Sequence, residues 1–497
     1  MLIFSGLAQR SRAPPPRACA GRAWPFARDE VLELRIAGLT NLGEGVGRVR
    51  LDEREWVVMV PFALPGELVR ARVIRNHKRH STAELDDVLV ASAARKEPVC
   101  PLFQVCGGCQ YQHLEYAEQL RWKRKQVLDA LGRVGGLRDL PLEQLVAPTI
   151  GSPREYGYRS KLTPHYQQHG VTASRAVGFV RRGAPDEIVD VPHCPIASDA
   201  LNMALPAARE AVRSQAADEG VGSGGGDGGG RGGGSGRGGG RGRRRRAVAT
   251  SSLLLRDARE GVVSAPDQRV TEVVAGSDDG LTPTLTFSFR AGDFFQNNPH
   301  ALPRLVRHVV AQACAPLGSS GDGEDESDGD SERPAFLIDA YSGSGLFALS
   351  AAGLVESVVG VETCETAVAC ATANAASNGV TNARFVAASA EAIFAQLPPS
   401  LVPARTVAVL DPPRRGCDAA FLCQLLRFAP QRIVYISCEP ATQARDLQVL
   451  VGAGYALTLV QPVDLFPQTR HCETVATLEW PGEGAAAPDL SFETFGA

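Results

Sequence analysis

Residues Ile433 to Ile436 favour a strand and run straight into Ser437-Cys438-Glu439-Pro440. Pro440 has no N–H for a sheet interior, so the strand is expected to stop there. In an open α/β sheet, reacting groups collect at the carboxyl ends of the strands. Cys438 is therefore a candidate nucleophile, with a buried core thiol as the competing reading. A second set of cysteines has ligand spacing: Cys100, Cys106 and Cys109 fall within ten residues, with Gly107-Gly108 between the last two. Glycines let a backbone fold tightly enough for several thiolates to converge. A fourth ligand is needed, and Cys194 in Pro192-His193-Cys194-Pro195 is the candidate. Four thiolates suit zinc or an iron–sulfur cluster, although C-x5-C-x2-C does not match the paired C-x2-C of a zinc ribbon.

A third constellation follows Phe336-Leu337-Ile338-Asp339, which reads as a buried strand. Ala340-Tyr341-Ser342-Gly343-Ser344-Gly345 comes next, before a helical run from Leu346 to Ala352. Gly343 and Gly345 in such a turn bring backbone N–H groups close to a ligand. The next strand, Val358 to Val361, ends in Glu362, an acid placed to bind ribose hydroxyls. This turn alone does not choose the cofactor. Thr406 to Leu410 leads into Asp411-Pro412-Pro413-Arg414. A strand ending in D-P-P beside such a site resembles methyltransferases acting on planar nitrogenous targets. An S-adenosylmethionine site fits better than a dinucleotide site.

The elements that must position these residues divide the chain. A length of 497 residues with 44% hydrophobic content allows several cored domains. No apolar run approaches the ~18 residues of a membrane helix, so no membrane partner is expected. The formal charge of -3 conceals segregated charges, and twelve dispersed cysteines point to a reducing compartment, cytoplasmic or organellar. Residues 1–29 read as a transit-like or unstructured extension, with five arginines before the first acid. Residues 30–93 hold five short alternating strands, expected to form a small OB-like barrel. Arg70, Arg72, Arg75, Lys78 and Arg79 beside it read as an RNA-backbone contact or as a solvated face. Residues 94–213 with 247–290 form a central α+β region carrying the cysteines. Within it, Gln119 to Val134 reads as a basic amphipathic helix. Tyr156 to His165 mixes aromatics that can stack on bases with cations that can hold phosphates. Residues 214–246 are a Gly/Arg-rich insertion and 318–334 an acidic one. Residues 291–481 form an α/β Rossmann-like domain, and 482–497 a tail.

Together these motifs resemble the RNA uracil-C5 methyltransferase family. The resemblance covers about residues 30 to 480 outside the two insertions. It adds Phe294-Phe295-Gln296-Asn297-Asn298 and His471-Cys472-Glu473-Thr474 to the motifs above. The Tyr158–Pro164 stretch is closer to the tRNA T-loop branch than to the ribosomal-RNA branch. The resemblance implies a TRAM-type barrel and a 4Fe–4S cluster on Cys100, Cys106, Cys109 and Cys194. It implies S-adenosylmethionine contacts at Gln296, Tyr341, Leu346, Glu362, Ser389 and Asp411. Cys438 becomes the nucleophile and Glu473 the base, and a monomer acting on tRNA at position 54 is expected. Such a nucleophile should need a lowered thiol pKa. The chain departs from the family at Ala340 and Tyr341, where larger apolar or phenylalanine residues are usual. The alternatives are a ribosomal-RNA enzyme of the same chemistry and a non-catalytic RNA-binding or tRNA-folding protein. Radical chemistry does not fit, since it calls for a C-x3-C-x2-C motif.

Overall fold

The computed structural model describes residues 24–51, 54–167, 176–221, 250–317, 333–389, 393, 397–398 and 401–481. Most of the expected N-terminal extension, most of both insertions and the tail lie outside these residues.

Five strands, β1 (Val31–Leu39), β2 (Glu44–Leu51), β3 (Arg54–Pro61), β4 (Leu68–Asn76) and β5 (His80–Val90), close into a barrel. Alternation puts Leu32, Leu34, Ile36, Val58, Val60, Val69 and Val73 inside. Of the expected basic patch, Arg70 pairs with Glu33 and Asp87, and Arg72 with Asp86. These two guanidiniums are neutralised by the barrel's own acids. Arg75, Lys78 and Arg79, on the β4–β5 hairpin, stay exposed.

The helix α1 (Tyr116–Arg133) follows the barrel, then the single turn α2 (Leu142–Leu145). The basic residues of α1 are largely taken up by partners within the fold. Arg121, Arg124 and Lys125 pair with Glu118, Glu143 and Asp129. Lys123 is fully buried against Asp464, with Nζ 2.6 Å from Oδ1. The central region is built from short strands: β6 (Lys161–Leu162), β7 (His165–Gln167), β8 (Gly178–Arg181), β9 (Ala184–Asp190), β10 (Thr250–Ser252), β11 (Leu255–Ala258) and β12 (Gly261–Val263). The helix α3 (Asp199–Val221) packs on β11 and β12 through Leu201 and Leu205.

The hairpin β13 (Arg269–Val274) and β14 (Leu285–Arg290) buries Val270, Val274, Leu285, Phe287 and Phe289. These side chains join one core with Leu305 and Val309 of α4 (Leu302–Cys314) and with Leu337 and Val358. The core of the catalytic half therefore extends back across residue 290. The large sheet has the order β17-β16-β15-β18-β19-β21-β20. Its parallel strands are β15 (Phe336–Ala340), β16 (Ser357–Glu362), β17 (Ala383–Ala387), β18 (Thr406–Leu410) and β19 (Arg432–Ser437). Both faces are covered, so these strands read as near-continuous apolar runs. The helices α5 (Leu346–Ala351), α6 (Glu365–Ser377), α7 (Ala419–Phe428) and α8 (Pro440–Gly452) provide the cover. The last strands, β20 (Ala456–Val463) and β21 (Glu473–Glu479), are antiparallel, with β21 inserted beside β19.

Candidate active site

Five segments bring their functional side chains to one end of the sheet. Asp339 and Tyr341 mark the end of β15, Glu362 that of β16, Asp411 that of β18 and Cys438 that of β19. Glu473 opens β21, which runs the other way. In the β19–β21 ladder Ser437 pairs with Thr474. Cys438 comes one residue after that rung and Glu473 one residue before it, so both leave the ladder at the same end.

This end is braced from α8. Gln443 donates to the carbonyls of Tyr435 (2.8 Å) and Thr474 (3.2 Å), and Thr474 donates back to its Oε1 at 2.7 Å. Asp446 accepts from the Cys417 N–H (2.8 Å) and the Tyr435 hydroxyl (2.7 Å), which fixes the loop after Asp411. Thr442 donates to the carbonyl of Arg414 at 3.0 Å. Pro440 ends the strand as expected and occupies the first turn of α8, where a missing N–H costs nothing.

The Gly-rich turn is equally specified. Gly343 and Gly345 have φ of +53° and +90°, which L side chains rarely adopt. A Cβ on Gly345 would also meet Phe385 at 3.0 Å. Glu362 accepts from the N–H groups of Gly343 (3.1 Å) and Cys364 (2.9 Å), so its carboxylate is held toward the turn. Asp339 accepts from the Ala348 N–H at 2.9 Å.

Every residue expected to act lines one cleft of about 1290 Å³ except Gly345, whose part is to shape the turn. Cys438, Glu473, Gln296, Tyr341, Gly343, Leu346, Glu362, Ser389 and Asp411 are brought together there. The same cleft continues to Cys100, Cys106, Cys109 and Cys194.

Burial dominates its electrostatics. Glu473 is pushed up to about 8 by burial, then by Asp411, with Arg414 opposing. Burial alone raises Asp411 to about 7. Burial also raises Asp339 to about 8, against the Ala348 hydrogen bond. The Cys438 thiol rises to about 11. That corrects the expectation of a lowered value: burial and the Glu473 carboxylate outweigh Arg414, which favours the thiolate by charge and hydrogen bonding. Arg414 had no role assigned from the sequence, although it belongs to the D-P-P-R motif; its proximity to Cys438 is a long-range contact.

The cysteine set is held by its own loop contacts. Gly107 donates to the Val180 carbonyl at 3.0 Å, Gly108 approaches the Cys106 sulfur at 3.4 Å, and Cys194 N–H donates to Asn202 at 2.9 Å. Cys109 is raised to about 12, first by burial and further by Cys194, Cys106 and Cys100. The four cysteines are thus near enough to one another to interact electrostatically. Among the described residues no group of three or more His, Cys, Asp or Glu side chains is placed to hold a metal ion.

Comparison with known proteins fits this geometry. A family model described as tRNA (uracil-5-)-methyltransferase matches residues 327–480. The tRNA (uracil(54)-C(5))-methyltransferase of Schizosaccharomyces pombe is 34% identical over 462 residues, covering 91% of this chain and 79% of that protein. The chain belongs to the tRNA (uracil-5-)-methyltransferase family. The enzyme of the same description from Saccharomyces cerevisiae is 30% identical, covering 90% of this chain and 74% of its own. The crystal structure of Pyrococcus abyssi tRNA (uracil-54, C5)-methyltransferase with S-adenosyl-L-homocysteine shares the fold, with a TM-score of 0.57 and 22% identity. It covers 90% of this chain and 100% of that one.

Within this family frame, the reading of one residue changes. Tyr158 is 1% exposed and donates its hydroxyl to the Pro467 carbonyl at 2.9 Å, so it cannot stack on a base. Among the aromatics that line the cleft, Phe294 is 75% exposed on its wall. Its sequence signal was the adjacent Phe295, which is buried and stacked on Phe289. Nothing local distinguishes the exposed ring from the buried one.

Proposed function

We propose that the chain methylates carbon 5 of a uridine in tRNA with S-adenosylmethionine, the target being the uridine at position 54. The observation that carries this reading is the meeting of Cys438 and Glu473 at the end of one ladder, inside the cleft that holds Tyr341, Glu362 and Asp411. The relatives' activities support the choice of RNA and position.

Carbon 5 of uracil is a poor nucleophile. Cys438, once its proton has passed to solvent, forms a bond to carbon 6, and the ring electrons make carbon 5 an enolate carbon. S-adenosylmethionine, when bound, supplies the electrophilic methyl group. Glu362 and the turn at Gly343 would hold the ribose side of such a ligand, and Asp411, on the same cleft, would help to bind it. After transfer, Glu473 in its ionised form takes the proton from carbon 5. The freed electron pair restores the C5–C6 double bond and expels the Cys438 thiolate. Burial gives Glu473 a proton affinity suited to a carbon acid. The target base has to leave its stack to reach both groups. The test is covalent trapping with a tRNA transcript carrying 5-fluorouridine, since fluorine cannot leave as a proton. Folded protein that forms no adduct would refute the reading.

The four-cysteine set is read as the holder of a 4Fe–4S cluster. Four cysteines brought to one cleft are a donor set for iron–sulfur or zinc chemistry. The C-x5-C-x2-C spacing, unlike the paired C-x2-C of a zinc ribbon, and the family resemblance are what favour the cluster. When bound, it would tie the Cys100–Cys109 loop to Cys194, with no part in the transfer step.

A further inference from the structure

Beyond β14 the chain passes through Ala291, Gly292 and Asp293 to reach Phe294 and Gln296, both on the cleft wall. Two cations from the central region hold this passage. Arg256 of β11 donates from Nε to the Ala291 carbonyl at 2.9 Å and from Nη2 to the Asp293 carbonyl at 2.8 Å. Lys161 of β6 donates from Nζ to the Gly292 carbonyl at 2.9 Å and the Asp293 carbonyl at 3.2 Å. Three successive carbonyls thus receive four charge-assisted hydrogen bonds, roughly twice as strong as neutral ones. On the far side of the loop the Ser160 N–H donates to the Asn297 carbonyl at 2.9 Å. Residues 160–161 therefore grip the loop at both ends.

Both cations are unusual in their surroundings. Arg256 is fully buried, with its guanidinium 5.0 Å above the Phe289 ring. Lys161 is pushed down to about 8 by burial, with Arg256 adding to the effect. The side-chain hydrogen bonds that they make go to these main-chain carbonyls. Between the two grips, Phe294 is left 75% exposed while Gln296 is 6% exposed.

We infer that Lys161 and Arg256 are positioning residues for the transfer. By fixing the carbonyls of Ala291, Gly292 and Asp293 they hold Phe294 and Gln296 where the cleft receives a base drawn out of its stack. The inference rests on the reading of the cleft as a uridine-methylating site. Misplacing a group by about 1 Å can cost on the order of 100-fold in rate.

The test uses full-length Lys161→Met, which keeps the stem and removes the donors, with Lys161→Arg as the conservative variant. Amide hydrogen exchange of the peptide covering 291–298 should quicken in Lys161→Met and return toward the parent rate in Lys161→Arg. The global melting temperature should stay unchanged. With tRNA transcript and S-adenosylmethionine, kcat should fall roughly 10- to 100-fold while KM for tRNA moves little. Unchanged exchange across the loop, or lost activity with a parent-like loop, overturns the inference. Exchange is measured without RNA, so failure of the proposed activity in the parent protein would leave this result readable. Arg256→Met could lower the folding yield, and for that reason Lys161 carries the test.

Discussion

Cys438 and Glu473 flank the Ser437–Thr474 rung of a single antiparallel ladder, one on each strand. A nucleophile and a proton acceptor separated by 35 residues of chain are thereby held by backbone hydrogen bonds and by Gln443, which grips both strands. Their division of labour is testable. Cys438→Ala is expected to form neither covalent RNA adduct nor 5-methyluridine. Glu473→Gln is expected to attack and methylate, then stall, losing about 10²- to 10⁴-fold in turnover. It should accumulate an adduct with ordinary uridine RNA on denaturing gels. General loss of stability cannot produce both phenotypes, because they are opposite in sign.

The raised pKa of Glu473 also predicts a pH signature. From its ordinary 4.5 the group is raised to about 8, chiefly by burial. Between those values the folded chain keeps a proton that the unfolded chain has released. The associated stability is complete below about 4.5 and is lost as pH rises through about 8. Glu473→Gln removes the loss. Its melting temperature should exceed the parent's by several degrees near pH 8.5, with the gap closing near pH 5. A gap independent of pH would mean that Glu473 is ionised at ordinary pH in the folded chain.

Lys123 and Asp464 form a fully buried pair, and Asp464 also accepts from the Phe466 N–H at 3.0 Å. Lys123→Met strands a buried carboxylate and should cost about 3–5 kcal/mol. Lys123→Met combined with Asp464→Leu should cost much less than the sum of the two single changes. Denaturant unfolding of the four proteins gives the coupling directly.

The barrel cations divide by partner. Arg72 is neutralised by Asp86, so Arg72→Ala should leave tRNA affinity nearly unchanged. Changing Arg75, Lys78 and Arg79 together to Ala should weaken binding. It should also lower the slope of log affinity against log salt by about 2–3 if each meets a phosphate. An unchanged slope would place the RNA away from this hairpin.

The cluster reading predicts about four irons per chain after anaerobic purification. Stoichiometric zinc without iron would remove it. Cys194→Ser should reduce folding yield instead of blocking only the chemical step.

The sequence made some of this visible and hid the rest for physical reasons. Phe336–Ala340, Thr406–Leu410 and Arg432–Ser437 are buried on both faces, so burial writes itself as an apolar run whose end locates Asp411 and Cys438. The five barrel strands declared themselves by alternation and glycine breaks. Lys123 was hidden because its partner lies 341 residues away, and a lysine on a basic helix carries no mark of burial. The strand β6 is two residues long, too short for any period to register. The raised Cys438 pKa was equally out of reach, since it depends on which charges the fold brings around a thiol.

One contact of the large sheet bears on how the protein is made. Beyond β20, the segment after α2 bridges to the sheet, with Val146 opposite Val460 and Ile150 opposite Val463. The N–H groups of Ala147 and Ile150 donate to the carbonyls of Val460 and Pro462, both at 2.9 Å. Without this segment, β20 would be a bare outer strand with unpaired main-chain groups, open to pairing with other molecules. On the ribosome the segment emerges some 300 residues before the strand it will cover. The catalytic half is thus born with its guard already waiting, and a fragment beginning at residue 291, made alone, should associate or precipitate.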